Sequence, residues 1–168
     1  METRERMLAG LKEALMAERT GNEFYTLAAA NTKDAQGRET FLILAAEEAL
    51  HEELLRKQYG HLLAGRAPSP MVTSWGAEFN ADSPIFSPEL KHRIAEAHLE
   101  MAVLATGLAL EDATIARYRT LAAEADVPEL KHFFDKLTRW EEGHADALRR
   151  QQTLLLESYW HEARFAPF

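Results

Sequence analysis

The chain has 168 residues and no cysteine, enough for one domain with a substantial core and unable to form disulfides, thiolate zinc sites or Cys-ligated iron–sulfur centres. Its formal net charge of −8 argues against nucleic acid or anionic membrane as partners, since both call for basic patches. The opening Met1-Glu2-Thr3-Arg4-Glu5-Arg6 lacks an apolar signal core, and the longest uncharged apolar run, Met101 to Leu110, is about half of a membrane span. A soluble, cytoplasmic protein is expected.

Apolar residues recur at helical spacing almost throughout and no segment alternates like a strand, so the fold class is all-α. The first helix is predicted at about 3–30, with an inward stripe of Leu8, Leu11, Leu15, Glu18, Tyr25 and Ala28. The connection 31–34 is too short for anything but an antiparallel neighbour, a second helix at about 36–64 that ends near Gly65 as a C-cap. Residues 66–87 hold Pro68, Pro70, Gly76 and Pro84 with no helical pattern. Such a stretch is long enough to carry the chain from one end of a bundle back to the other, with Trp75, Phe79, Ile85 and Phe86 pinning it to the bundle. Ser87-Pro88-Glu89 reads as N-cap, N1 proline and acidic first turn, opening a third helix at 88–125. Asp126-Val127-Pro128-Glu129 repeats that pattern before a fourth at 128–160. Helices of this size are about 42 Å long, and residues 1–168 are read as one four-helix bundle domain.

A constellation occurs twice. Glu18, Tyr25, Glu48 and His51 each reappear 93 positions later (18→111, 25→118, 48→141, 51→144) as Glu111, Tyr118, Glu141 and His144. Apolar neighbours share the register: Leu8/Met101, Leu11/Leu104, Leu15/Leu108, Phe41/Phe134, Leu44/Leu137 and Leu55/Leu148. The second half is therefore read as an internal duplication of a two-helix unit. Two further Glu-x-x-His pairs, Glu89/His92 and Glu129/His132, follow Pro88 and Pro128 and lack such partners. They are read as helix N-terminal acids beside solvated histidines, and His61, His98 and His161 as surface or satisfied histidines.

On a helix, i and i+3 project from one face, so Glu-x-x-His presents a carboxylate and an imidazole to one point. One such motif from each of two helices, with one Glu from each of the other two, is the inward-facing ligand set of a two-metal carboxylate bundle. The predicted ligands are Glu18, Glu48, His51, Glu111, Glu141 and His144. Glu47 and Glu142 do not map onto acids in the other half (their counterparts are Trp140 and Ala49) and are placed in a second layer or in solvent. For Tyr25 and Tyr118 two readings stand: hydroxyls bonded to a ligand carboxylate on the facing helix, or core aromatics. Trp140 is read as packing, with an oxidisable neighbour of the metals as the other reading.

Glu18…Glu48-x-x-His51…Glu111…Glu141-x-x-His144, with a long connection between the second and third helices, resembles the rubrerythrin-like branch of the ferritin-like superfamily over about residues 5–155. The resemblance implies a ferritin-like four-helix bundle and a centre of two iron ions that reacts with peroxide or dioxygen, the outcome being Fe(II) oxidation or peroxide detoxification. In it Glu48 and Glu141 would bridge, His51 and His144 would be terminal, and Glu18 and Glu111 would cap opposite metals. Rubrerythrins proper carry a Cys-ligated rubredoxin domain, which these residues cannot form, so electrons are expected from an external donor protein or from Fe(II) itself. They also carry a further glutamate near the third-helix ligand, where this chain has Gly107, Leu108, Thr114 and Ile115. The alternative function is iron binding, storage or delivery without turnover. Oxygen and imidazole ligands accept manganese as well. A homodimer is expected, with Tyr159, Trp160, Phe165 and Phe168 packing back on the bundle or against a second copy.

Overall fold

The computed structural model describes residues 2–70, 79–90 and 97–162. They form four helices, α1 (Glu2–Asn31), α2 (Ala35–Leu63), α3 (His98–Glu124) and α4 (Pro128–Glu162), and no strand among the described residues. The helix boundaries follow from local chemistry. Asp34 caps α2 by accepting the Gly37 amide at 2.8 Å. Gly65, at φ 66°, takes the left-handed conformation that ends α2, its amide bonded to Leu62 O at 3.0 Å and that of Arg66 to His61 O at 2.9 Å; glycine adopts this conformation without Cβ strain. Among the described residues no helix is long and apolar enough to cross a membrane.

Helix α1 packs against α2 and α3, and α4 against α3. The buried apolar side chains gather in two clusters. One includes Tyr25, Phe41, Leu44, Leu104 and Leu148; the other includes Tyr118, Phe134, Leu137, Leu11 and Leu55. These ten are the duplicated pairs with their partners exchanged, so the repeat maps one end of the bundle onto the other. Along every helix the glutamate and histidine positions fall between a residue of one cluster and a residue of the other. The duplication therefore builds two apolar plugs with a polar layer between them.

The start of the third helix differs from expectation. Pro88–Leu90 make a single 3₁₀ turn, residues 91–96 lie outside the described residues, and α3 begins only at His98. Ser87 does not cap it: its amide (3.1 Å) and hydroxyl both donate to the carboxylate of Asp34. A long-range partner has taken the side chain that the local pattern assigned to a cap. The crossover is pinned as expected by Ile85 and Phe86, both buried, with Gln151 of α4 accepting the Ile85 amide at 3.0 Å. Trp75, His92, Phe165 and Phe168 lie outside the described residues.

Candidate metal centre

All four helices deliver side chains to the polar layer. Glu18 comes from α1, Glu48 and His51 from α2, Glu111 from α3, Glu141 and His144 from α4, and each is at most 4 % exposed. Two four-residue groups emerge, Glu18/Glu48/His51/Glu141 and Glu48/Glu111/Glu141/His144, in each of which one ligand atom per residue lies within 4.8 Å of the others. Glu48 and Glu141 belong to both.

Both imidazoles turn Nδ1 into the cluster. His51 Nδ1 is 2.7 Å from Glu141 Oε1 and 3.3 Å from Glu18 Oε2. His144 Nδ1 is 3.1 Å from Glu141 Oε2, 3.4 Å from Glu48 Oε1 and 3.8 Å from Glu111 Oε2. Although close, Glu18 Oε2, Glu48 Oε1, Glu141 Oε1 and His51 Nδ1 have no hydrogen-bond partner among the described residues. Buried polar atoms are rarely left so, and a ring of them aimed at shared points fits cations held between them. The donor set, oxygen and imidazole without sulfur, suits iron or manganese.

Electrostatics shows the same need for positive charge. Burial, together with the charges of Glu141, Glu18 and Glu111, pushes the Glu48 carboxyl well above the carboxylate range. Burial and the Glu141 charge push Glu111 up to about 7. Burial works against the charged form of His51, yet Glu141 and Glu18 beside it raise its pKa to about 10. Burial likewise opposes ionisation of Glu141, but His51 and His144 hold its carboxyl well below the ordinary range. Without metal the cluster keeps protons; bound cations would take their place.

The tyrosines combine the two readings, with rings in the apolar clusters and hydroxyls bonded to carboxylates of the polar layer. Tyr25 donates to Glu111 Oε1 and Tyr118 to Glu18 Oε1, each across the α1–α3 interface. Burial and the adjacent carboxylates keep both phenols protonated, their pKa values far above the usual 10. Gly107 makes room for one of them: a Cβ there would lie 3.1 Å from the Tyr25 hydroxyl. Both rings also stack on the repeat-related Phe41 and Phe134, at 6.3 and 6.1 Å.

Glu47 and Glu142 part company. Glu142 joins Arg119 at 2.7 Å in a surface ion pair. Glu47 is buried, with Oε2 2.8 Å from His144 Nε2 and Oε1 accepting the Phe79 amide at 2.9 Å. Burial alone would raise its carboxyl, but the bonds from His144 and Phe79 hold it below the ordinary value. Trp140 packs edge-on against His51, ring centroids 4.8 Å apart. The sequence pattern also missed Gly21, where a Cβ would lie 3.0 Å from Glu48 Oε2; a glycine inside a helix one turn beyond a ligand was the available signal. His61, His98, His132 and His161 stay clear of the site, and His61 Nδ1 lies 2.8 Å from the carbonyl of Ala67.

A cavity of about 350 Å³ opens between α1 and α3 and reaches the cluster, its walls including Gly21, Glu48, Glu111, Thr114 and Arg117. Arg117 pairs with Glu13 in that wall. Of the positions near Glu111 where rubrerythrins carry a further glutamate, Thr114 lines this cavity and Gly107 leaves room for the Tyr25 hydroxyl.

No curated protein and no solved structure matches the chain significantly. The Rubrerythrin family model does, over residues 10–152, a span that contains all six clustered side chains and both tyrosines; the chain belongs to that family.

Proposed function

We propose that the protein is a di-iron carboxylate oxidoreductase that uses peroxide or dioxygen to oxidise Fe(II). The observation that carries this is the buried set of unpartnered ligand atoms shared between two overlapping groups. Glu48 and Glu141, common to both groups, would be shared between two ions, with Glu18 and His51 holding one and Glu111 and His144 the other. Two Fe(II) ions held by these residues would supply the two electrons that, with two protons, reduce one peroxide to two waters.

The chain's own contributions are positional. Tyr25 and Tyr118 hold the outer carboxylates in place through Glu111 and Glu18. The two apolar clusters exclude water from either end of the bundle, which strengthens electrostatic interactions in the layer. The α1–α3 cavity brings a small oxidant to Glu48 and Glu111. Electrons for further turnovers come from a separate donor or from fresh Fe(II), since these residues hold no Cys-ligated iron. Iron storage without turnover is the alternative, and manganese is the alternative metal.

The test is metal content per chain after anaerobic Fe(II) loading and desalting, followed by mixing with peroxide or with oxygen. About two irons, oxidised rapidly in the wild type and lost in Glu48→Ala, is the expected result. Two irons that neither oxidant oxidises rapidly would leave the storage reading in place. No retained iron would overturn both.

A further inference from the structure

The duplication brings the two histidines to equivalent places but gives them different outer neighbours. For a histidine to ligate through Nδ1, its proton must sit on Nε2, and an acceptor at Nε2 fixes both that tautomer and the plane of the ring. His144 has such an acceptor in Glu47 Oε2, 2.8 Å away, and Glu47 is itself held by the Phe79 amide at 2.9 Å. The Phe79 ring also meets the His144 ring edge-to-face at 5.2 Å. His51 has none among the described residues: its Nε2 is buried and unpartnered there. The repeat-related counterpart of Glu47 is Trp140 (47→140), which takes the matching place beside His51 with its ring 4.8 Å away. An indole N–H is a donor only and cannot accept the imidazole proton; the Trp140 Nε1 is likewise buried without a partner.

A second observation points the same way. The cavity between α1 and α3 is walled by Glu111, which belongs to the His144 group alone, and by Glu48, which is common to both groups; Glu18, Glu141 and the two histidines do not line it. The better-held histidine therefore belongs to the position nearest the way in.

From these placements we infer that the two metal positions are unequal: the one at His144 fills first and binds more tightly, with Glu47 as the residue that positions its imidazole. The inference rests on the reading of the six residues as a metal centre. Glu47 acts through His144 and is a positioning residue, not a ligand. Trp140, where the repeat would have put a second acceptor, leaves the His51 position the weaker one.

The experiment is an anaerobic titration of the full chain with Co(II), followed by calorimetry and by the visible absorption of the bound cobalt. The wild type should take up two ions in two resolved steps. His51→Ala should keep the tight step and His144→Ala should lose it. Repulsion between two ions in equal positions would also give two steps, but the two histidine replacements would then behave alike, and that result overturns the inference. Glu47→Ala should weaken the tight step by about 10–100-fold, whereas Glu47→Gln, which keeps an acceptor for the Nε2 proton, should recover part of the loss. Trp140→Glu should tighten the weak step. A tight step unmoved by Glu47→Ala would remove Glu47 from the account. A wild type that binds no cobalt at all would overturn the metal-centre reading itself, which a symmetric pair of steps would not.

Discussion

Gly21 shows how single positions serve the site. A glycine inside a helix costs about 1 kcal/mol relative to alanine, and on the face of α1 one turn beyond Glu18 it looks like a defect. Its neighbour explains it: a Cβ would stand 3.0 Å from Oε2 and 3.2 Å from Cδ of Glu48, so a methyl group there displaces a shared carboxylate by a few tenths of an ångström. Gly21→Ala should therefore leave the metal-free fold as stable or up to about 1 kcal/mol more so, while shrinking the rise in melting temperature on adding metal. Thermal unfolding with and without Mn(II) measures both; an undiminished rise would show that Glu48 yields at no cost. At this scale the six clustered side chains were legible because i and i+3 share a face and because the register repeats. Glu47 was not, because its partner His144 is on another helix and nothing in the local sequence of α2 points to it.

Among the elements, the α1–α2 and α3–α4 pairs were legible from periodicity and short connections, and the crossover from its prolines. The beginning of α3 was not. Ser87-Pro88-Glu89 has the chemistry of a helix start, yet the Ser87 hydroxyl and amide are both given to Asp34, which also caps α2. One carboxylate thus ties the N-terminus of α2 to the end of the crossover. Asp34→Ala should cost more than an ordinary cap, about 2–3 kcal/mol against the usual 1, because it leaves the Ser87 donors without their acceptor as well. Urea unfolding decides this. A loss of about 1 kcal/mol or less would mean that the crossover is held by Ile85, Phe86 and Gln151 without Asp34.

On the scale of the molecule, the buried layer sets how stability depends on pH. Glu111 is raised by burial and by Glu141 from 4.5 to about 7, so the folded state binds more protons than the unfolded chain in that interval. Its contribution is complete below 4.5 and is lost as pH rises through 7. His51, raised by Glu141 and Glu18 from 6.5 to about 10, contributes fully below 6.5 and loses that contribution as pH rises through 10. Glu141, held low by the two histidines, contributes fully above the unfolded carboxylate value and does not change in this range. Metal-free protein should therefore melt at progressively lower temperature from about pH 5 to about pH 9. Bound metal should reverse the trend, because its affinity grows as the ligands lose protons, adding about 2.7 kcal/mol at a hundredfold excess over Kd. Melting curves across that range, with chelator and with metal, measure it; a chelated protein whose melting temperature rises with pH would contradict the charge balance of the layer.

The sequence by itself determined the four helices apart from the start of α3, the duplication and the six side chains that cluster, because helical periodicity and a repeat register are properties of spacing along the chain. What the tertiary structure decided are the relations between positions that share no local pattern: Tyr25 with Glu111, Tyr118 with Glu18, Asp34 with Ser87, Glu47 with His144, and the opening beside Gly21. Each depends on how separate parts of the chain, helices or the crossover, are brought together. That is fixed by packing the two apolar clusters, a property of the assembled bundle that no single segment carries.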